Sequence, residues 1–173
     1  MTKNVGTHGS CVRHPERKSP RAKFHNYSGG EYFITICTDN RKHYFGEIID
    51  NTMLYSEIGA YCHMQFMNLS NHYAYAEVPV FVIMPNHVHA IICIHGNRRT
   101  HKLCVPTERT ALAVIIGGIK RAVTVFARRN DIEFGWQPRY HDHIIRGIHD
   151  GNLIAEYIEN NISRWTSDCF YEK

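Results

Sequence analysis

Apolar residues change their spacing several times along the chain. After Gly29-Gly30, the run Tyr32-Phe33-Ile34-Thr35-Ile36-Cys37-Thr38 is aromatic and β-branched, which predicts a strand closed by a turn at Asp39-Asn40-Arg41. Ile58, Tyr61 or Cys62, Phe66 and Leu69 then recur at three- and four-residue steps, the signature of a helix, with Ser56 as its cap. Residues 73–84 form a second apolar run, in which Pro79 fits a bulge or an unpaired edge position. Pro85-Asn86 breaks that run, and His87–Ile94 resumes it as a third strand. Thr107, following Pro106, is expected to cap a long helix reaching about Arg129, with a stripe of Leu112, Ile115 or Ile116, Ile119, Val123 and Phe126. Residues 134–146 suggest a short strand ending in a basic residue. A last helix, starting at Asp150 or Asn152, carries the ridge Ile154, Ile158 and Ile162.

Strand, helix, strand, strand, helix, strand, helix is the order of an α+β protein. Its first six elements follow the ferredoxin-like split βαβ plan, an antiparallel sheet with helices on one face, and one C-terminal helix is added. The 173 residues, 43% hydrophobic and 21% charged, suit one domain over 24–173. Residues 1–23, rich in Lys, Arg, Pro, Gly and Ser, are expected to form a flexible basic arm. The six cysteines contain no CxxC pair, which argues against a zinc ribbon. No run approaches the ~20 apolar residues of a membrane span, and the polar N-terminus lacks a secretory apolar region. A reduced cytoplasmic setting and no membrane partner are therefore expected.

The net charge of +4 conceals an alternation. Residues 1–25 carry +5 and residues 98–129 carry +7, while residues 26–97 and 130–173 each carry −4. Basic blocks of this kind attract polyanions, nucleic acid first, although a solvated tail and a solvated helix face would show the same pattern.

Met84-Pro85-Asn86-His87-Val88-His89 is the sharpest local feature. On a strand, residues two apart share a face, so His87 and His89 present two imidazoles together, half of a metal site. His141 and His143 form a second pair with the same spacing, and among 13 histidines such pairs arise readily. On the last helix, Tyr157 and Asn161 share a face at i,i+4 beside the isoleucine ridge. A phenol and an amide could thus stand over a sheet-borne metal. A tyrosine flanking the core and an asparagine ending the helix is the plainer alternative.

Several blocks in the right order nevertheless resemble one family. They are YSGGEYFITICTDNR, FGEI, FVIMPNHVHAIICI, IIGGIKRAVTVFARR, WQPRYHDHIIR, and YIENNISRW followed by Asp168. Across most of residues 24–168 the chain resembles the REP-associated tyrosine transposases, members of the HUH (His-hydrophobic-His) single-strand endonucleases. The resemblance implies a ferredoxin-like domain that cuts and rejoins single-stranded DNA through a 5′-phosphotyrosine, leaving a free 3′-hydroxyl. By position, Tyr157 matches the nucleophile on the C-terminal helix, and His87, His89 and Asn161 match the metal-binding set. Ile162 stands where the family's block usually carries proline. Two imidazoles and an amide are neutral ligands suited to modest binding of Mg²⁺ or Mn²⁺.

DNA, single-stranded and hairpin, is the partner this resemblance implies, and nucleoid association would follow from it. Arg98, Arg99, Lys102, Lys120, Arg121, Arg128 and Arg129 are the basic residues expected to follow a phosphate backbone. Trp136 or Tyr140 could stack on an extruded base, although core packing is the commoner use. A homodimer is left open. So are a non-cleaving DNA-binding regulator and a metal-dependent hydrolase using His141 and His143.

Overall fold

A computed structural model describes residues 29–95 and 110–171. The arm of residues 1–23, Thr107, and the basic residues Arg98, Arg99 and Lys102 lie outside the described residues.

Strand β1 (Gly30–Cys37) follows the apolar run closely. A helical turn at Asp39–Arg41 leads into a hairpin, β2 (Gly46–Ile49) and β3 (Thr52–Tyr55), which the periodicity did not announce. The hairpin turns at Asp50 and Asn51, both with positive φ, as a two-residue turn of right-handed strand twist requires. Helix α1 (Glu57–Met67) starts where expected, with the Ser56 hydroxyl accepting from the Gly59 N–H at 3.1 Å. It ends earlier than the spacing suggested. Leu69 opens a separate short helix, α2 (Leu69–His72), because the chain turns at Asn68.

Strands β4 (Ala76–Ile83) and β5 (His87–Ile94) pair antiparallel, with a register shift between Glu77 and Val80 that spans Pro79. Proline is tolerated there because it sits at the irregularity itself, on an edge strand, where the ladder asks no hydrogen bond of it. Helix α3 (Ala111–Arg129) is capped by Thr110 rather than Thr107; the Thr110 hydroxyl accepts from the Ala113 N–H at 3.3 Å. Strand β6 is only His141–Ile144, with an isolated bridge between Thr38 and Trp136 where the earlier part of the predicted strand would lie. Helix α4 (Ile148–Glu159) begins before Asp150. Asp150 serves the start from inside the first turn, its carboxylate accepting from the Arg146 N–H at 3.0 Å. The helix also stops at Glu159, so Ile162 lies in the following turn and not on the helix.

The four-stranded sheet has the order β4-β5-β1-β6, all antiparallel, the ferredoxin-like arrangement. Alternation along β1 and β5 separates its faces. Tyr32, Ile34 and Ile36, with Val88, Ala90, Ile92 and Ile94, meet the buried stripe of α3 and the Ile58, Cys62 and Phe66 side of α1. On the other face, Val82 and Ile91 meet Ile158 of α4 and Trp165 of a closing helical turn, Trp165–Ser167. Helix α4 is thereby held against the face that presents His87 and His89.

Candidate functional site

His87 and His89 sit at the start of β5, opposite Cys37 and Thr35 of β1, and both are fully or almost fully buried. Their ring centroids are 4.5 Å apart. Each ring is held by its Nδ1 side. The His89 Nδ1 lies 2.9 Å from the Thr35 hydroxyl. The His87 Nδ1 lies 2.8 Å from the Asn86 side-chain oxygen, while the Asn86 amide nitrogen donates to the Phe170 carbonyl at 2.9 Å. That second bond orients the amide, and an oxygen facing Nδ1 requires the His87 proton to be there. The His87 Nε2 is left as a lone pair, buried and without a hydrogen-bond partner.

Burial, with charge from His89 and Arg41, holds the His87 imidazolium well below its ordinary range. Burial likewise brings His89 down to about 3, opposed by a hydrogen bond to the Ile34 backbone. Both rings are neutral at physiological pH, the form a metal ligand needs.

From the other side, α4 and its extension bring three groups to the same place. The Tyr157 hydroxyl is 3.3 Å from His89 Nε2 and donates toward Asp168 Oδ2 at 3.4 Å. The Asn161 amide nitrogen donates to the same carboxylate oxygen at 3.2 Å, which turns its own oxygen away. Asn161 Oδ1 is then buried with no partner. Asp168 is fixed in turn, since its Oδ1 accepts from the Phe170 N–H at 2.7 Å. Burial and the Asp168 charge both push the Tyr157 phenol above its ordinary pKa. The Phe33 ring stacks on His89 at 5.2 Å and meets Tyr157 edge-on at 6.2 Å, forming an apolar wall.

A divalent cation fits these residues. His87 Nε2 and Asn161 Oδ1 are orphaned buried acceptors, a state that native interiors rarely tolerate without a bound partner. One ligand atom each from His87, His89 and Asp168 lies within 4.8 Å of the others. Two imidazoles, an amide oxygen and one carboxylate make a donor set for a divalent cation. Asp168 is the residue to which sequence reasoning assigned no role. It follows Tyr157 by eleven positions, in an irregular turn where no helical spacing points to it.

The second histidine pair is arranged differently. His141 and His143 lie exposed on β6, and His143 Nε2 is 3.1 Å from Asp150 Oδ2. Among the described residues, no third acidic, histidine or cysteine ligand completes a group with them. Trp136 packs between Phe45 and Phe134, at 5.3 and 5.0 Å, and donates its indole N–H to the Lys120 carbonyl. Tyr140 is half-buried against the same core. Arg121, Arg128 and Arg129 are exposed on α3. The Lys120 ammonium is half-buried, donating to the Gln137 and Arg139 carbonyls at 2.6 and 2.9 Å.

No family model matches the sequence. An uncharacterized protein of Haemophilus influenzae is 35% identical over 180 residues, which cover 97% of this chain and 96% of the relative. This chain belongs to the same family. Its fold is also that of a solved REP-associated tyrosine transposase, a structure with a REP hairpin bound. The two superpose with a TM-score of 0.58 at 17% identity, over 84% of this chain and 73% of the other. No helix among the described residues is long and apolar enough to cross a membrane.

Proposed function

We propose that the protein is a metal-dependent tyrosine transposase that cleaves and rejoins single-stranded DNA beside a hairpin. The observation that carries the reading is the position of the Tyr157 hydroxyl, within 3.3–3.4 Å of both His89 Nε2 and Asp168 Oδ2. A nucleophile beside a set of buried, partnerless ligand atoms is the arrangement that phosphoryl transfer requires. The fold shared with the hairpin-bound transposase supports the same reading.

In this mechanism Tyr157 attacks the scissile phosphorus and displaces the 3′-oxygen, giving a 5′-phosphotyrosine and a free 3′-hydroxyl. One phosphodiester replaces another, so attack by a 3′-hydroxyl in the reverse sense rejoins strands. Asp168 Oδ2 is the carboxylate oxygen nearest the phenol; it takes the phenol proton as the new bond forms and passes it, by way of water, to the departing 3′-oxygen, which leaves as the hydroxyl. The Asn161 amide keeps that carboxylate in place. His87, His89 and Asn161, with the negative charge of Asp168 beside them, would hold Mg²⁺ or Mn²⁺. When bound, such an ion withdraws charge from the phosphate and lowers the barrier that a phenol, with its raised pKa, would otherwise meet. Phe33 shields one side of the tyrosine from water.

Hairpin and single-strand contacts are assigned to Arg98, Arg99, Lys102, Arg121, Arg128 and Arg129, together with the arm of residues 1–23. Lys120 contributes less, because its ammonium is already committed to two carbonyls. The test uses hairpin DNA with a single-stranded extension, taken from genomic repeats, and Mn²⁺. The wild-type protein forms a covalent adduct that survives denaturing electrophoresis. Tyr157→Phe binds the hairpin within about twofold of wild type, a difference worth under half a kcal/mol, and forms none. Strand cleavage by Tyr157→Phe would overturn the assignment.

A further inference from the structure

The turn that ends β1 carries two consecutive non-glycine residues in the left-handed region, Asn40 at φ 49° and Arg41 at φ 53°. Asparagine adopts this conformation readily, but an arginine does so only where its surroundings hold it. Here the surroundings are explicit. The Thr38 N–H and hydroxyl both donate to the Asn86 carbonyl at 2.9 Å, and the Asp39 N–H donates to the Gly135 carbonyl at 2.8 Å. The turn is thus fastened to the residue that precedes His87.

Its product is the placement of one guanidinium. Arg41 lies over the Phe170 ring, 5.1 Å from the centroid, and its Nη1 donates to the Cys169 carbonyl at 3.2 Å. The Phe170 ring is in turn 4.4 Å from that of His87. Lys42, the next basic residue, faces elsewhere and pairs with Glu133 at 2.6 Å.

We infer that Arg41 is a DNA-binding residue that holds a backbone phosphate of the cleaved strand next to the Tyr157 site. This rests on the transposase reading and adds a contact to it. A planar guanidinium stacked on an aromatic ring presents its edge in a fixed direction, which suits the paired oxygens of a phosphodiester. The strained turn seats that guanidinium on Phe170, whose ring lies against His87 at the start of β5.

The test measures binding of fluorescein-labelled oligothymidylate by the full chain without metal, at several salt concentrations. Each phosphate contact on a single strand contributes about 0.7 to the slope of log affinity against log salt. Arg41→Ala should lower the slope by about that amount, and Arg41→Lys should retain it. A purely structural role would show as a lowered thermal midpoint in Arg41→Ala with the salt slope unchanged. Wild-type binding with an unchanged slope in Arg41→Ala overturns the inference and leaves the transposase reading intact. If the wild-type protein binds neither this strand nor a hairpin, both fall together.

Discussion

Asn86 carries more of the site than its bland chemistry suggests, and replacing it with alanine separates two effects. Its side chain is fully buried and makes two bonds, one to the His87 Nδ1 at 2.8 Å and one to the Phe170 carbonyl at 2.9 Å. Asn86→Ala leaves the imidazole N–H buried without an acceptor, a loss of about 2 kcal/mol. The Phe170 carbonyl is half-buried and finds water more easily, so its loss is nearer ~1 kcal/mol. The total expected in metal-free urea unfolding, followed by tryptophan fluorescence, is about 3 kcal/mol. The second effect concerns the proton on His87. Without the amide oxygen, the proton is no longer confined to Nδ1, and Nε2 is no longer reserved as a lone pair. Outer-sphere partners of this kind are worth roughly 10–100-fold in metal affinity, and manganese titration followed by paramagnetic resonance should show a weakening of that order. Asn86→Asp keeps an acceptor for His87 but opposes a second oxygen to the Phe170 carbonyl, so it should retain more metal affinity than alanine does. An alanine variant that unfolds within about 0.5 kcal/mol of wild type and binds Mn²⁺ equally well would refute the account of how the ring is held.

Three further outcomes are expected. A Cβ at Gly118 would overlap the Tyr73 hydroxyl, so Gly118→Ala should destabilise α3 by about 1–2 kcal/mol despite alanine's better helix propensity. Tyr73→Phe in that background should restore most of the loss, and no rescue in denaturation would sink the idea. Burial lowers the Lys120 ammonium to about 8, whereas an unfolded lysine keeps its proton to ~10.4. Between those values the unfolded chain binds the extra proton. Wild-type stability relative to Lys120→Met should therefore rise from about pH 8 to about pH 10, and a flat difference would count against it. His141→Ala and His143→Ala should each leave Mn²⁺-dependent adduct formation in place; if they abolish metal binding while His87→Ala does not, the ion belongs on β6.

Elements with a long, unmixed period were legible from sequence. β1 and β5 are continuous apolar runs because both faces of the central strands are covered, and α3 repeats its stripe over five turns. The β2–β3 hairpin escaped notice because its strands are four residues each, half-exposed, and too short for alternation to stand out. Asp50-Asn51 between Ile48-Ile49 and Met53-Leu54 was the available signal. The boundary errors share a cause: Thr107, Asp150 and Leu69 have acceptable cap or stripe chemistry, but the chain's turns at Thr110, Gly147 and Asn68 decide where helices begin and end. At the site, His87, His89, Tyr157 and Asn161 were marked by spacing together with the family resemblance. Asp168 and Arg41 belong to irregular turns, where proximity comes only from tertiary structure. Lys120 looked like a solvent-facing cation because helical position alone does not reveal that the Gln137–Arg139 backbone passes over it.

Helix α4 is tethered far more lightly than its partners: it buries one residue completely, Ile158, against six along α3. Native-state hydrogen exchange should therefore find it among the first elements to open, well below the free energy of global unfolding. Opening of α4 parts the site along a seam, carrying the Tyr157 phenol away from the two imidazoles on the sheet. Any ligand that touches both sides of the seam is thermodynamically coupled to its closure. At a hundredfold excess over its dissociation constant such a ligand contributes about 2.7 kcal/mol to the closed state. That is a large share of what one buried isoleucine can supply. Under the proposed function, occupancy of the centre and the docking of Tyr157 thus form a single equilibrium, and the protein is armed in proportion to what it has bound.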